Sequence, residues 1–479
     1  MARQELDRRL YRGAAVAFFA IKAALLVLAY PFMDETYYWL WGQHLALSYF
    51  DHPPLIGWTQ GIASLLGWNL VGLRIFVALT LVGDILMLRH LARHVAGSDW
   101  ERAFWMSTML LASTPIFFGV TNLALPDHLL LFFSLLAILA FARFSSGFVA
   151  GVPRWRFLYL TALAIGFALL SKYTGALLLA GIGASVLFFR PLRPLLSSLH
   201  AYAAVLLVGL MQAPVLIWNL QNDYASFGFV TGGRKLLPAF DLGGMGGYLA
   251  GFLLVLSPFL IWPTLRFAFA RDEQSVTSRT VFWLSSLSFF FASVFTNILI
   301  HWNVIAYAAA LPFLFRQLRS RFLIVGHLTF GLVIAGVLAI NTTVIPVLAI
   351  IGSADQTSAW NFGWNEIAAE VRAIAQNEGT DFVAATDYAL ASPLAFALQD
   401  PDVVSLSPRV EAFDFWFDPE VRRGQTAIIV ADRWRRLPSQ VRAQFGEVIE
   451  AKKVTIERLD RVVDRYSIYI ARAYAPSIQ

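Results

Sequence analysis

Hydrophobic positions in this chain gather into long runs, separated by short polar loops, from residue 14 to about residue 345. A bilayer span needs about 20 predominantly apolar residues. Runs that reach or approach this are 14–32, 68–88, 103–121, 128–145, 157–171, 174–189, 201–219, 246–265, 280–299, 303–315 and 322–345, eleven in all. The first follows MARQELDRRLYRG, a basic start like that of a signal peptide. It is long, holds Lys22 and lacks a small-x-small cleavage site, so it reads as an uncleaved anchor. From about residue 355 the pattern changes. WNEIAAEVRAIAQ and LASPLAFAL read as helices, while DFVAATDY, DVVSL, TAIIVAD and RYSIYIARAY read as short strands. Alternation of this kind predicts a small α/β domain, so the chain divides into a membrane region (1–350) and a soluble α/β domain (351–479).

Composition agrees. Charged residues make up 14% of the 479 and apolar residues 58%, against about 25% charged in a soluble domain. This predicts a polytopic α-helical membrane protein. With no cysteine, disulfides, thiolate metal sites and cysteine nucleophiles are excluded. The charge is uneven: residues 1–345 hold 23 Lys/Arg against 13 Asp/Glu, and residues 346–479 hold 14 against 18. The basic excess is a topology signal rather than a sign of nucleic acid. With the N-terminus inside, 18 basic residues fall in cytoplasmic loops and four (Arg74, Lys172, Arg234, Lys235) face the other side. An odd number of spans then puts the C-terminal domain outside.

That orientation sorts the polar residues. The outward loops receive Asp34, Glu35, Asp51, His52, Asp127, Lys172, Asp223, Arg234 and His301, and the first of them, within 33–67, is the richest. Each has two readings. Asp34 and Glu35 either cap an interfacial helix or form a site, because a carboxylate beside hydrocarbon is costly unless used or paired. Tyr37, Tyr38, Trp39 and Trp41 suit a membrane-surface belt or a substrate platform. Asp127 heads an apolar span as an N-cap or as a reactive carboxylate. Lys172 snorkels or binds an anion, and His52 is a satisfied polar residue or a ligand. Together, outward carboxylates and cations are what an enzyme acting on a lipid-linked phosphate needs: donors for the phosphate and a base for an acceptor hydroxyl. Only Lys22 and Asp84 lie well inside spans, without forming the relay a coupled transporter would show.

The run DETYYWLWGQHLALSYFDHPPLIGW resembles the first-loop signature of the ArnT-like, PMT-type glycosyltransferases of the GT-C fold. LPDHLLLFF (125–133), LLSKYTGALL (169–178), PVLIWNLQNDYASFGF (214–229), HWNVIAYAAALPF (301–313), GWNEIAAEV (363–371) and ATDYALASPLAFAL (385–398) extend the likeness in family order. The resemblance implies sugar transfer from a polyprenyl-phosphate donor to a hydroxyl acceptor (glycolipid, glycan or protein). It implies Asp34 and Asp127 as catalytic carboxylates, with Asp34 the base. His52, Arg234 and Lys172 would bind the donor phosphate, and Glu35, Tyr37, Tyr38 and Asp51 the substrates. ArnT-like enzymes carry an acidic residue followed by lysine before the double proline, whereas this chain has Asp51-His52; histidine is charged only at lower pH, which leaves more of the phosphate to Arg234. A divalent ion near the phosphate would take Asp51, His52 and His301 as ligands. The competing reading is a lipid-linked sugar flippase with the same residues as a binding site.

Overall fold

The computed structural model describes residues 2–232 and 242–476, and the chain separates into two compact units. One comprises Met1–Ala23, Leu47–Ile56 and Phe76–Ala335; the other comprises Ala24–Ala46, Gly57–Ile75 and Gly336–Gln479. The sequence reading placed a single boundary at residue 350. Here the boundary falls at 335/336, and two pieces of the first outer loop group with the C-terminal region. Contacts between residues hundreds of positions apart decide this, and sequence order hides them.

Each of the eleven apolar runs is helical, but they differ in length. Five helical runs among the described residues are long and apolar enough to cross a membrane: Arg9–Leu28, Leu70–Ser113, Pro126–Val149, Leu199–Gln221 and Arg321–Thr343. Two bent pairs raise this to seven. Gly175–Phe188 turns by 106° into Arg190–Ser197, and Gly243–Leu256 turns by 102° into Pro258–Ala268. Prolines explain the breaks, since their rings remove a donor and clash with the preceding turn. The run 103–121 is likewise split at Pro115, and 303–315 is one α-turn segment, Val304–Ala310, between two 3-10 stretches. The unit's core is a continuous apolar cluster that includes Leu110, Leu130, Leu135, Phe141, Phe144 and Ala306. At Gly181 the helix Gly175–Phe188 lies so close to Val276–Ala292 that an added Cβ would stand 2.7 Å from the Val281 Cα.

In the other unit a mixed five-stranded sheet runs β2-β1-β3-β5-β4, with β1 Phe382–Ala385, β2 Val404–Ser405, β3 Ala427–Asp432, β4 Phe445–Arg458 and β5 Arg461–Tyr474. Strands β2, β1 and β3 are parallel, and β5 pairs antiparallel with both β3 and β4. The helices Trp364–Glu378 and Tyr388–Leu398 fall where the periodicity puts them. Strand β4 escapes the sequence reading because EVIEAKKVTIER is charged and mostly exposed, the character of an edge strand protected against pairing.

The first-loop helix Met33–Gln43 packs into this same unit. Glu35 through Gly42 are all buried. Tyr37 lies 4.8 Å from the Tyr388 ring, and its hydroxyl accepts the Ala412 N–H at 3.1 Å. Trp39 meets Trp68 and Phe396 at 5.7 and 5.8 Å. Gly42 permits the crossing with Leu55–Ala63, since a Cβ there would stand 2.5 Å from the Gly61 nitrogen. The aromatic run is thus protein core, not a membrane belt.

Two carboxyls in this unit bear on its pH response. Burial, with Asp387 nearby, pushes the Glu411 carboxyl up to about 7, and burial, with Asp432 nearby, does the same for Asp464. A carboxyl with a raised pKa holds its proton more tightly in the folded state, so the stability it contributes is greatest below its unfolded value and falls as pH climbs toward 7. The wild type is therefore expected to lose stability relative to Glu411→Gln between pH 5 and pH 8, by up to about 3 kcal/mol. Thermal unfolding followed by near-UV circular dichroism checks this; a wild type that holds or gains stability relative to Glu411→Gln as pH rises from 5 to 8 refutes it.

Candidate active site

In the membrane unit, Asp127 is the second residue of the helix Pro126–Val149, whose Pro126 pre-sets the first turn. Lys172 is the residue that ends Trp155–Ser171. The two meet across 45 residues: Nζ donates to Oδ1 at 2.8 Å and to Oδ2 at 2.9 Å, with both side chains buried. Asp127 is therefore not a plain helix cap, nor does Lys172 snorkel to the surface. Around them stand two histidines close enough to act on the Asp127 charge, His52 and His301.

His301 lies on the 3-10 turn Ile300–Asn303. Asn303 anchors that turn: it accepts from Ser285 Oγ at 2.7 Å and donates to Tyr248 Oη and Ser286 Oγ at 3.1 Å each. Burial, aided by Lys172 and opposed by Asp127, lowers the His301 ring to about 4, so it is a neutral donor or acceptor at physiological pH. Asp51 and His52, both half-buried, sit in the bend ahead of Pro53-Pro54. Next in the chain, His128 turns the other way, with Nδ1 2.9 Å from Thr80 Oγ1. Of the six residues the sequence placed in a site in this unit, Asp51, His52, Asp127, Lys172, Arg234 and His301, the structure pairs Asp127 with Lys172 and sets His52 and His301 within reach of the Asp127 charge. Arg234 lies outside the described residues. Among the described residues no group of three or more His, Asp or Glu is arranged to hold a metal ion, so Asp51, His52 and His301 do not make the ligand set expected of them.

In the other unit, Asp34 and Glu35 share the first turn of Met33–Gln43 and have different surroundings. Asp34 is half-buried, on the same helix face as Tyr37 and Tyr38. Glu35 is fully buried and bidentate with Arg74, Nε to Oε1 at 2.9 Å and Nη2 to Oε2 at 2.7 Å. Its Oε2 also accepts the Phe32 N–H at 2.9 Å. Arg74 Nη1 meanwhile gathers the carbonyls of Leu25, Leu26 and Ala29, at 3.3, 3.0 and 2.9 Å, at the end of the helix Ala2–Leu28. Those carbonyls lack partners within their own helix and favour a cation. One ion pair thus joins two helix ends, and Glu35 is a positioning residue rather than the substrate ligand expected. Tyr37 and Tyr38 are buried among Trp41 and each other, and Tyr37 also meets Phe413, so they support the helix that presents Asp34. The sequence reading missed Arg74; its signal was an arginine within an apolar run on the side of the membrane where cations are scarce.

Inside the spans, Lys22 donates to the Phe118 carbonyl at 2.7 Å and lies over that ring, while the buried Asp84 carboxyl has no hydrogen-bond partner among the described residues. They form no relay.

Comparison with known proteins adds three findings. The family model for dolichyl-phosphate-mannose-protein mannosyltransferase matches residues 51–218, a stretch that contains Asp51, His52, Asp127 and Lys172. A lipid A galacturonosyltransferase of Rhizobium johnstonii, RgtD, is 25% identical over 393 residues, 77% of this chain and 78% of that protein. Crystal structures of ArnT from Cupriavidus metallidurans, in the apo state and bound to undecaprenyl phosphate, match with TM-scores of 0.63 and 0.62. They cover 97% and 98% of this chain and 99% of their own, at 15% and 16% identity. That likeness establishes the fold, which is the one the resemblance implied. These are matches to glycosyltransferases, and the flippase reading is set aside.

Proposed function

We propose that this chain, an ArnT-like glycosyltransferase of the PMT type and GT-C fold, moves a sugar from a polyprenyl-phosphate donor to a hydroxyl of a surface glycolipid. The reaction is assigned to the periplasmic face of the inner membrane, where the charge bias of the loops puts the residues concerned. The curated relative acts on lipid A, and one of the ArnT structures holds undecaprenyl phosphate; both support this choice of acceptor and donor class.

The observation that carries the reading is the buried Asp127–Lys172 pair with His52 and His301 beside it. An ammonium has three N–H donors. Two go to Asp127, and the third is left for a phosphate oxygen of the donor, with His52 and Arg234 as further donors. The carboxylate aims Lys172 in a buried setting, where a fixed cation stabilises a leaving phosphate more than it would in water. Asp34 acts as the base: it takes the proton of the acceptor hydroxyl as that oxygen bonds to the anomeric carbon. The bond from that carbon to the phosphate oxygen breaks, its electron pair leaves with polyprenyl phosphate, and configuration inverts, as with inverting carboxylate pairs.

Purified protein in nanodiscs, given radiolabelled polyprenyl-phosphate sugars and lipid A, is expected to transfer label without any ion gradient. Gradient-free movement of the intact donor across vesicles with no transfer from any donor would overturn the reading.

A further inference from the structure

The parallel strands of the sheet end in a polar surface that the transfer mechanism leaves unused. Strand order β2-β1-β3 means that the chain leaves β1 to one side and returns to its other side, and the carboxyl ends at such a switch point form a crevice where open α/β sheets bind ligands. The residues following these ends are tied together there. Thr386 Oγ1, after β1, donates to the Arg435 carbonyl, after β3, at 2.7 Å. Asp387 Oδ1 pairs with Arg435 Nε at 2.9 Å. Beyond β2, Arg409 Nη2 meets Glu411 Oε1 at 3.1 Å, and Glu411 Oε2 accepts from Ser405 Oγ at 2.7 Å and from the Tyr388 N–H at 3.0 Å.

Two features of this surface exceed what holding the sheet requires. Each guanidinium stands over an aromatic ring, Arg409 at 5.2 Å from Tyr388 and Arg435 at 4.2 Å from Trp360. Neither is saturated among the described residues: the Arg409 side chain is 60% exposed with one nitrogen engaged, and Arg435 Nη1, a buried atom, has no hydrogen-bond partner there. Guanidinium forks match phosphate oxygens, and the rings beneath them hold the forks in place. The surface also adjoins the helix that carries Asp34, because Tyr37 packs on Tyr388.

From this geometry we infer that the carboxyl-end surface of β2, β1 and β3 binds the phosphorylated saccharide headgroup of the acceptor, with Arg409 and Arg435 as its anion-binding side chains. The inference rests on the transferase reading for its ligand class. It gives the C-terminal region a role in choosing the acceptor and none in holding the donor.

The test uses full-length protein in nanodiscs, lipid A as probe, and lipid A stripped of phosphate by a phosphatase. Arg409→Gln, at an exposed position, is expected to fold, to weaken lipid A binding at least tenfold and to raise the acceptor KM by a similar factor, with the donor KM unchanged. Arg435→Gln should act in the same direction, and stripped lipid A should bind the wild type as weakly as intact lipid A binds Arg409→Gln. Equal binding of lipid A by wild type and Arg409→Gln overturns the inference, whether or not transfer is seen. Binding that depends on Arg409 with no transfer from any donor sinks the transferase reading and leaves the headgroup site standing.

Discussion

Asp34→Asn is expected to yield a folded, membrane-inserted protein whose transfer rate falls about a thousandfold, within the range that general-base removal produces. The carboxamide keeps the size of the side chain and its oxygen at the helix N-terminus, where an acceptor is favoured. It loses the ability to take a proton from the attacking hydroxyl. Asp34 is half-buried, and the base acts on the acceptor rather than on the phosphate, so the donor KM should move little. Its neighbour makes the internal contrast. Glu35→Gln breaks the bidentate bond to Arg74 and leaves that guanidinium buried beside three carbonyls. Its effect should therefore appear in thermal unfolding first and in activity only through lost protein. Label transfer at saturating donor, read beside near-UV circular dichroism, separates the two. Full transfer by Asp34→Asn would remove the base assignment, and unfolding of Asp34→Asn would show that the two carboxylates share one structural role.

The two adjacent acids show where sequence reading reaches its limit. In the string DET they are equivalent, both acidic, both at the end of an apolar run. On a helix, consecutive side chains point about 100° apart, so one turns into the protein and the other does not, and only the position of Arg74, 39 residues on, settles which. What was legible rested on local period: the apolar runs, the helices Trp364–Glu378 and Tyr388–Leu398, and strands β1, β2, β3 and β5. Three things were not. Helix breaks at Pro115 and Pro258 leave hydropathy unchanged while shortening the helix, so runs outnumber full-length helices. The β4 strand carries its charges outward and mimics a loop. The burial of Trp39 and Trp41 against the C-terminal unit depends on partners such as Phe396 and is indistinguishable, by composition, from a membrane belt. The site divides in the same way. Side-of-membrane bias gathered Asp127, Lys172, His52 and His301 only within a larger outward set that also held Asp34, Glu35, Asp51, Asp223 and Arg234, and the pairing of Asp127 with Lys172 is a tertiary fact.

That pairing sets up the second large effect. Lys172→Met alone is expected to cost about 3–5 kcal/mol of stability, because it strands the Asp127 carboxylate in a buried site without its cation. It should also lower transfer at least a hundredfold. Asp127→Leu alone strands the ammonium and should cost a similar amount. Replacing both, as Asp127→Leu with Lys172→Met, puts apolar groups of comparable volume in place of the pair, and such replacements are often neutral or better for stability. The double variant is therefore expected to recover most of the thermal stability that each single variant loses, a coupling of several kcal/mol read from the double-mutant cycle. Activity should not follow. If Lys172 holds the leaving phosphate and Asp127 aims it, the double variant stays as inactive as the Lys172 single variant while unfolding near the wild-type temperature. Recovery of transfer together with stability would mean that the pair serves only the packing of Pro126–Val149 against Trp155–Ser171, and the phosphate would then have to be held by His52, Arg234 and His301 without it.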